Sequence, residues 1–418
     1  MINGSVAFNN AVTSGIYPYE VRIKYNNTIV DCNIFSCSII KGSTGNEEFT
    51  IGTGFVPYVE LELSDLTINL ENKEIELDIG VRTSSITTEW IQIGLFTVVK
   101  APTSTIKTTI TAVGRLSAVL TTIYPTIPDI LTINTLITAV QTAVRSAGYN
   151  DFTITTTGLT ISNEVLTINT NLAALSCKSV LELLAGILGC YMTEDNAGNI
   201  VLFKYDTNTI IDYTGARMIT HPVFNNYDFI FEGVKVIYKE AYYDEDGNEI
   251  PEQYFVSANP ADLVINNPYI TTQTLFNSFC DNCLGLSYRP ANIALALGDP
   301  RLEPFDVLRI TDTEGVQYIV PCMYLNHVVT GGLTTNVVSP GQSESEADSV
   351  VAGPLTSQIE SLQSDLITAK DAIINRLKVT DLTAQRISAI VVDAINLTSD
   401  TIDAKNVNIT QLVATQAF

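Results

Sequence analysis

The end of this chain, residues 377–418, repeats with a period of five. A branched apolar residue opens each unit, at Leu377, Leu382, Ile387, Val392, Leu397, Ile402, Val407 and Leu412. Two positions later most units carry a small residue, usually alanine, and the exceptions are Val379 and Ile409. A step of five residues turns an α-helix by about 140°, so these apolar side chains would spiral around a helix without forming a stripe. The period therefore argues against a helix.

An extended chain suits this period, because residues i and i+2 point to the same side of a strand. Each unit then forms a short strand with its branched and small residues inward, followed by a two-residue polar corner. Such coils cannot bury their apolar edge alone and need stacked neighbours. We therefore predict a thin β-column over residues 377–418, with other copies of the chain supplying part of its wall. A disordered tail with coincidental spacing is the alternative.

A heptad pattern over residues 354–376 comes directly before the five-residue repeat. Ile359, Leu366 and Ile373 take the a positions, and Leu355, Leu362 and Ala369 take the d positions. This spacing is typical of a coiled-coil seam, although a single amphipathic helix would carry the same pattern over so short a run. Because the segment has no room to fold back on a core before the column begins, we favour oligomerisation. We predict that these heptad residues, together with the branched residues of the repeat from position 382 to 412, hold copies of the chain together.

Composition favours β-structure and argues against binding to nucleic acid. Hydrophobic residues make up 46% of the chain, enough for real cores, while charged residues are only 16%. Thr, Asn and Ser fill the polar positions beside many Ile and Val, which favours sheets. The net charge is −23. Direct nucleic-acid binding uses basic patches that release counterions, so we expect none here.

No targeting segment is expected. The start, MINGSVAFNN, has neither a basic region nor an apolar region of signal-peptide type. The longest apolar run, residues 180–192, contains Glu182 and is too short to cross a bilayer. The seven cysteines are scattered and predict no dense disulfide framework, so we expect folding in a reducing cytosol.

Residues 1–122 alternate apolar and polar side chains in the manner of strands. Residues 59–63 do so, and Ile75, Leu77 and Ile79 face one way. We predict an antiparallel sheet closing toward a barrel over this segment.

Residues 123–215 change character and predict a small α+β insert. A helix is expected over 135–147, ended by Gly148, and a second helix follows the capping residue Ser176. Thin strands are expected at 152–154 and 165–168, and a hairpin is expected around the turn 195–198.

Residues 216–340 return to strands, at 231–238, 253–256, 307–311 and 318–324, interrupted by one helix near 271–284. We predict a second barrel here, followed by a small acidic linker over 341–353.

Residues that carry catalysis or bind metals form no recognisable pattern in this chain. The two histidines, His221 and His327, lack a cysteine motif, and His327 lies in an alternating strand. Cys280 and Cys283 lack a second pair at zinc spacing and better suit the buried side of a helix. The G-x-S-x-G, P-loop and H-E-x-x-H motifs do not occur. We therefore expect no catalytic residues, no metal and no cofactor.

One segment resembles a known family. It begins GDPRLEPFDVLRI at Gly298 and ends with a Gly331-Gly332 hairpin before residue 341. The matching positions are Gly298, Asp299, Pro300, Glu303, Pro304, Asp306, Gly331 and Gly332. The segment resembles the closing barrel of phage tail hub proteins, the minor structural or tail-associated lysin N-terminal proteins, which are related to the central baseplate hub of contractile tails. Phe305 stands where family members often carry glycine.

The resemblance implies a mainly β protein with two hub-type barrels around an α+β insert, assembled as a ring of three chains. It implies a virion protein at the tail tip, made in the host cytoplasm, that closes the tail tube and opens for DNA ejection. The implied partners are a distal tail protein or tail tube ring, the tape measure protein, and a fibre or tip protein at the C-terminus. DNA would pass through the lumen without being bound.

Two other readings stay open. A tail fibre or receptor-binding adhesin would carry a distal tip, and a tail-associated cell-wall hydrolase would carry an enzyme module after the hub. The sequence ends at Phe418 inside the repeat. We therefore expect either a truncated chain or a foot for another tail protein.

Overall fold

The computed structural model of the chain describes residues 1–2, 4–14, 18–42, 51–52, 56–84, 86–100, 107–168, 171–205, 210–213, 223–224, 228–243, 249–258, 261, 263–311 and 315–340. The chain divides into two units, 1–360 and 361–418, and all described residues belong to the first. The linker, the heptad segment and the five-residue repeat lie outside the described residues, so the expectations for them stay predictions.

The described residues of the first segment form one helix and seven strands. They are α1 Val6–Ser14, β1 Tyr19–Tyr25, β2 Thr28–Ile29, β3 Asn33–Gly42, β4 Tyr58–Ser64, β5 Glu74–Arg82, β6 Thr88–Lys100 and β7 Thr108–Gly114.

The middle segment contains most of the predicted insert, residues 123–215, and the short helix before it. Its elements are α2 Arg115–Ala118, α3 Ile133–Ser146, β8 Ile154–Thr157, a 3-10 turn Leu172–Ala174, α4 Cys177–Leu188, β9 Tyr191–Glu194 and β10 Ile200–Phe203.

The last described segment is again mostly strands. They are β11 Ile210–Tyr213, β12 Val223–Phe224, β13 Phe229–Phe231, β14 Val234–Lys239, β15 Tyr242–Tyr243, β16 Glu249–Ile250, β17 Gln253–Val256, β18 Leu263–Asn266, α5 Gln273–Cys283, β19 Leu286–Tyr288, β20 Ala291–Leu295, β21 Val307–Thr311, β22 Gln317–Pro321, β23 Tyr324–Val329 and β24 Leu333–Ser339. The prediction of a mainly β chain is confirmed.

One antiparallel sheet runs through the first and last segments. Its strand order is β12-β20-β24-β23-β3-β4-β7-β6-β5-β1-β2. In β5, Ile75, Leu77 and Ile79 point into the core, as their alternation predicted, and β1 curls back to lie against β3. The curled strands enclose the core of the first half, which also receives Phe8 and Val12 from α1.

The pairing of β3 with β23 joins the two halves, and we call this ladder the seam. It runs from Tyr324 opposite Gly42 to Val329 opposite Cys37. Within β23, Leu325 belongs to the core of the second half, whereas Val329 belongs to the core of the first half. One strand therefore passes from one hydrophobic core to the other.

The second half is a smaller sandwich. Strands β20, β24 and β23 of the large sheet pack against a three-stranded sheet with the order β11-β21-β22. Its core contains Ile293, Leu308, Val320 and Val337, all fully buried. Strands β21 and β22 are joined by a short connection and pair in antiparallel fashion from Val307 opposite Pro321 to Thr311 opposite Gln317.

The insert has its own sheet, with the order β8-β10-β9, covered by α3 and α4. Ser176 caps α4 as predicted, with its hydroxyl accepting from the Ser179 amide at 3.3 Å. The core of the insert continues into residues 231–288, where the sheet β17-β14-β18 and helix α5 pack against it. The sequence boundary at residue 215 stays a prediction, because one hydrophobic cluster extends to both sides of it.

Two local expectations were wrong. Helix α1 lies where only strands were predicted, because Phe8, Ala11 and Val12 bury one helical face in the first core. Residues 165–168 form no strand: the Leu166 amide donates one isolated bond to the Leu131 carbonyl at 2.7 Å, and Val165 is 63% exposed. An alternating pattern without a paired neighbour does not make a strand.

The seam predicts a strong effect of proline in β23. Asn326 lies opposite Ile40 on one side and Asn336 on the other. Asn326→Pro removes an amide and fixes φ inside a strand with two neighbours, so we expect a loss of about 3 kcal/mol or more in urea unfolding. Val223→Pro, in the edge strand β12, is the control and should cost clearly less. Equal losses for the two variants would contradict the central place of the seam.

Candidate assembly site

The two parts of the hub motif meet in space. The 298–306 turn connects β20 to β21, and Gly331-Gly332 form the hairpin between β23 and β24. The Gly298 amide donates to the Leu333 carbonyl at 2.9 Å, directly after that hairpin. A side chain at Gly298 would start 2.7 Å from Leu333 Cγ and from Thr335 Oγ1, so glycine is required by space.

Asp299 is the centre of a buried polar network in this turn. Its carboxylate accepts from Arg301 Nε at 2.8 Å and Arg301 Nη2 at 2.5 Å, which is a two-point ion pair. Tyr213 Oη donates to Oδ2 at 2.9 Å, and the Asp299 amide donates to Thr335 Oγ1 at 3.2 Å. The carboxylate is fully buried. The turn is thereby tied to β11 and to β24.

The Arg301 side chain decides the ionisation of Asp299. Burial alone would raise the pKa of this carboxyl, but the hydrogen bonds and charge of Arg301, together with the Tyr213 hydroxyl, hold the pKa below its usual range. The pair is therefore charged on both sides, and neither partner can be removed without leaving the other charge buried.

Arg301 also ties the turn to the start of the chain. Its Nη1 donates to Asn9 Oδ1 on α1 at 2.7 Å, and its carbonyl accepts from the Ile2 amide at 2.7 Å. Tyr19 Oη, at the start of β1, donates to the Gly298 carbonyl at 3.2 Å. The 298–306 turn thus holds elements of the first half and of the second half together.

The end of the turn is closed by its own backbone and by β22. The Glu303 amide donates to Asp306 Oδ2 at 2.8 Å, and the Asp306 amide donates to the Glu303 carbonyl at 3.1 Å. The Phe305 amide donates to the Cys322 carbonyl at 2.8 Å, and the Cys322 amide donates back to the Asp306 carbonyl at 2.7 Å. The α-amino group of Met1 lies 2.7 Å from Asp306 Oδ1. These bonds fix the backbone around Phe305.

Phe305 adopts a left-handed backbone conformation, with φ at +67°. Glycine adopts this conformation freely, whereas a bulky residue is strained there by about 1–2 kcal/mol. Phenylalanine at this position therefore carries a backbone strain that glycine would avoid. The ring contacts Tyr191 at 4.3 Å and Phe203 at 5.1 Å between centroids, which are the residues at one end of the β9–β10 hairpin.

Two further titratable groups are buried at the seam. Lys41 on β3 is 3% exposed, and its Nζ donates to the Ile93 carbonyl at 2.8 Å. Burial lowers the Lys41 pKa, against the opposing attraction of carboxylates that include Glu303 and Glu194. His327 on β23 contacts Thr335 Oγ1 through Nδ1 at 2.9 Å. Burial and the charge of Lys41 lower the His327 pKa to about 4, so its imidazole is neutral at pH 7.

A second joint fastens the insert to the first sheet. Arg115 forms a two-point ion pair with Glu74 on β5, with both distances 2.7 Å, and its guanidinium is also 3.4 Å from the Ala197 carbonyl. The Glu194 carboxylate accepts from the Arg115 amide at 2.9 Å and from the Leu116 amide. Burial raises the Glu194 pKa to about 7, although these bonds and the positive charges of Arg115 and Lys41 oppose the rise.

The arrangement suits positioning and offers little for chemistry. Each buried carboxylate described here is held by an arginine or by backbone amides, so none is placed as a free acid or base. Among the described residues, no group of three or more His, Cys, Asp or Glu side chains could hold a metal ion. No helix in the described part of the chain is long and apolar enough to span a bilayer.

The sequence alone located part of this site. It singled out Gly298, Asp299 and the glycine hairpin, and the structure brings these residues together. It did not identify Arg301 as a site residue, although Arg301 lies inside the motif, and it did not identify Tyr213 or Asn9. Of these three residues, only Arg301 could have been found from the sequence, because an Asp and a nearby Arg in a tight turn suggest a local ion pair. The predicted trimerisation residues lie outside the described residues.

Comparisons with known proteins find similarity among solved structures. No protein-family model and no curated protein matches the chain. A solved structure of the tail protein from Neisseria meningitidis MC58 is similar at 12% identity with a TM-score of 0.48, covering 77% of this chain and 96% of that one. The 43 kDa tail protein of prophage MuSo2 from Shewanella oneidensis is similar at 12% identity with a TM-score of 0.44, covering 77% and 98%.

A third similar structure belongs to a secretion system. It is the E. coli c3393 protein, described as a component of the type VI secretion system with structural similarity to the T4 tail proteins gp27 and gp5. Its identity is 9% and its TM-score is 0.42, covering 77% of each chain. Two of these structures are thus named as tail proteins, and the third is described as similar to tail proteins.

The buried Asp299–Arg301 pair predicts a large loss of stability when it is broken. Asp299→Ala leaves the Arg301 guanidinium buried without its carboxylate, which should cost about 3–5 kcal/mol in urea unfolding. The exposed pair of Asp212 and Arg309 on β11 and β21, 3.0 Å apart, is the control. Asp212→Ala should cost at most about 1 kcal/mol. A small effect of Asp299→Ala would show that the turn does not depend on this pair.

Glu194 predicts a pH dependence of stability. Its folded pKa lies above the usual value, so the folded state binds this proton more tightly, and stability present below about pH 4.5 is lost as pH rises through 7. Glu194→Gln should remove up to about 3 kcal/mol of this loss. The difference in unfolding free energy between wild type and variant, measured from pH 4.5 to 8, tests it. Glu60→Gln, on the exposed side of β4, should leave the profile unchanged, and parallel profiles for Glu194→Gln and wild type would refute the assignment.

Proposed function

We propose that this chain is a structural hub protein of a phage tail tip. Three copies would form a ring that closes the tail tube, with the heptad and five-residue segments on the common axis. The function is mechanical: the ring connects the tube to a distal fibre or tip protein and opens for DNA ejection. No catalytic step belongs to this role.

The seam supports this proposal most directly. A ring in which each chain supplies two wall segments needs a fixed spacing between those segments. Here two halves with separate cores share one sheet through β3 and β23, and the 298–306 turn bonds to elements of both halves. This construction gives the chain two β-modules that cannot swing independently, which is what a trimer matching a sixfold tube requires.

The surface charge fits passage of DNA without adhesion. Most described cationic side chains pair with carboxylates, among them Arg22, Lys24, Arg82, Lys107, Arg115, Lys178, Lys235, Arg289, Arg301 and Arg309. Exposed carboxylates such as Glu60, Glu71 and Asp129 add to the net charge of −23. A lumen built from this surface would repel phosphates and release the genome.

One face of the large sheet suits the lumen wall. The side opposite the cores carries a row across five strands, formed by Thr334, Val328, Ser38, Glu60 and Thr111. The row contains one carboxylate and no cation, and it crosses the seam without a break. We assign this face to the channel. The proposed partners are a tail tube ring or distal tail protein, the tape measure protein, and a fibre or tip protein at the C-terminus.

The proposed trimer predicts that charged residues at the a positions of the heptad segment break the assembly. Ile359→Asp with Leu366→Asp would bury carboxylates without partners, costing several kcal/mol per trimer. Light scattering coupled to gel filtration should then give the mass of one chain where wild type gives three. Ser361→Asp with Ser364→Asp, at outward heptad positions, is the matched control and should stay trimeric. If the variant with Ile359→Asp and Leu366→Asp keeps the trimer mass and the melting temperature of wild type, the heptad segment does not hold the assembly together.

The proposed lumen predicts weak binding to DNA. Wild-type protein should bind duplex DNA at physiological salt more weakly than the 10⁻⁴–10⁻⁶ M that is typical of non-specific binders. Ser38→Lys with Thr111→Lys on the assigned face should produce measurable binding that falls steeply with salt. Fluorescence anisotropy titrations measure both. Micromolar binding by the wild type would contradict an acidic or neutral wall.

A further inference from the structure

Phe305 connects the 298–306 turn with the insert. Its backbone belongs to the 298–306 turn, where hydrogen bonds to Cys322 and within the turn hold it on the second half. Its ring belongs to the insert, where it lies between Tyr191 and Phe203. These two residues face each other across β9 and β10, with their own rings 6.0 Å apart. The ring is 8% exposed.

The connection is made at the cost of backbone strain. A bulky residue at φ +67° persists only where its surroundings fix it. The strain does not depend on where the insert lies, because the turn is bonded to β22 through the Phe305 and Asp306 backbone. The aromatic contacts, in contrast, exist only while the β9–β10 hairpin lies against the turn. The backbone strain at Phe305 is therefore present whether or not the hairpin lies against the turn. The aromatic contacts stabilise only the arrangement in which it does.

A cleft lies beside this contact. It has a volume of about 270 Å³ and is lined by the turn residues Glu303, Pro304 and Asp306 and by Thr157, Thr193 and Lys204 of the insert. The hairpin and the turn thus face each other across open space next to the aromatic cluster. A small displacement of the hairpin would widen the cleft and separate the three rings.

We propose that Phe305 is a clip that holds the insert hairpin against the hub turn. Phenylalanine at this position combines a strained turn with an aromatic contact between the turn and the insert. The clip makes the docked hairpin the favoured state and makes its release a local event, with the seam left intact. Phe305 would act in this way in one chain as well as in a trimer, so its test is separate from that of the ring.

Hydrogen–deuterium exchange on the full chain tests the clip. Phe305→Gly removes ring and strain together, whereas Phe305→Ala removes the ring and keeps the strained backbone. Both variants should speed exchange of the β9 and β10 amides at least tenfold and leave the β3 and β23 amides at their wild-type rates. Phe305→Gly should also melt at a higher temperature than Phe305→Ala, because glycine adopts the left-handed conformation freely.

Two more variants keep the test decisive. Phe203→Leu removes a cluster ring from the insert side without touching the turn, and it should speed exchange of the same amides even where a Phe305 variant fails to fold. Phe255→Ala is the matched control, because that ring also lies between two aromatic neighbours, Tyr238 at 5.0 Å and Phe276 at 5.4 Å. It should leave β9 and β10 unchanged. Unchanged exchange of β9 and β10 in the Phe305 and Phe203 variants, or equal acceleration throughout the chain, would overturn the proposal.

Discussion

The hydrogen-bonded ladder between β3 and β23 is the interaction on which the rest of the described structure depends. Without it, the first and last segments would be two separate β-modules joined through the insert and through the side-chain and backbone bonds of the 298–306 turn. Their shared strand β23 gives Val329 to one core and Leu325 to the other, so neither core is complete if the ladder shifts. A shift of one residue would also turn His327 and its inward neighbours to the opposite face, which makes the register strongly specified.

Buried polar groups surround this ladder and specify one arrangement. Lys41 lies on β3, His327 lies on β23, and Asp299 with Arg301 lies in the adjoining turn. Such groups add little net stability compared with a well-packed apolar core, but each is costly when its partner is misplaced. The insert follows the same logic, because Arg115 and Glu194 bind it to the first sheet through bonds that only one orientation satisfies.

Features that depend on residues close together in the chain could be predicted from the sequence. Contacts between residues far apart in the chain mostly could not. Alternation placed the buried face of β5, Ser176 marked the start of α4, and the turn 195–198 marked a hairpin, since each signal lies within its own element. The pairing of β3 with β23 left no local trace, because it joins residues nearly three hundred positions apart. For the site, the resemblance located Asp299 and its turn, but the partners Tyr213 and Asn9 come from other parts of the chain.

The proposed function depends on three such chains forming one ring. Native mass spectrometry of the full chain at micromolar concentration tests it most directly, because it counts subunits without reference to shape. We expect a single species with the mass of three chains, which persists on dilution within the time of the measurement. A species with the mass of one chain at all concentrations would contradict the ring, and would leave a rigid two-module protein without the proposed role.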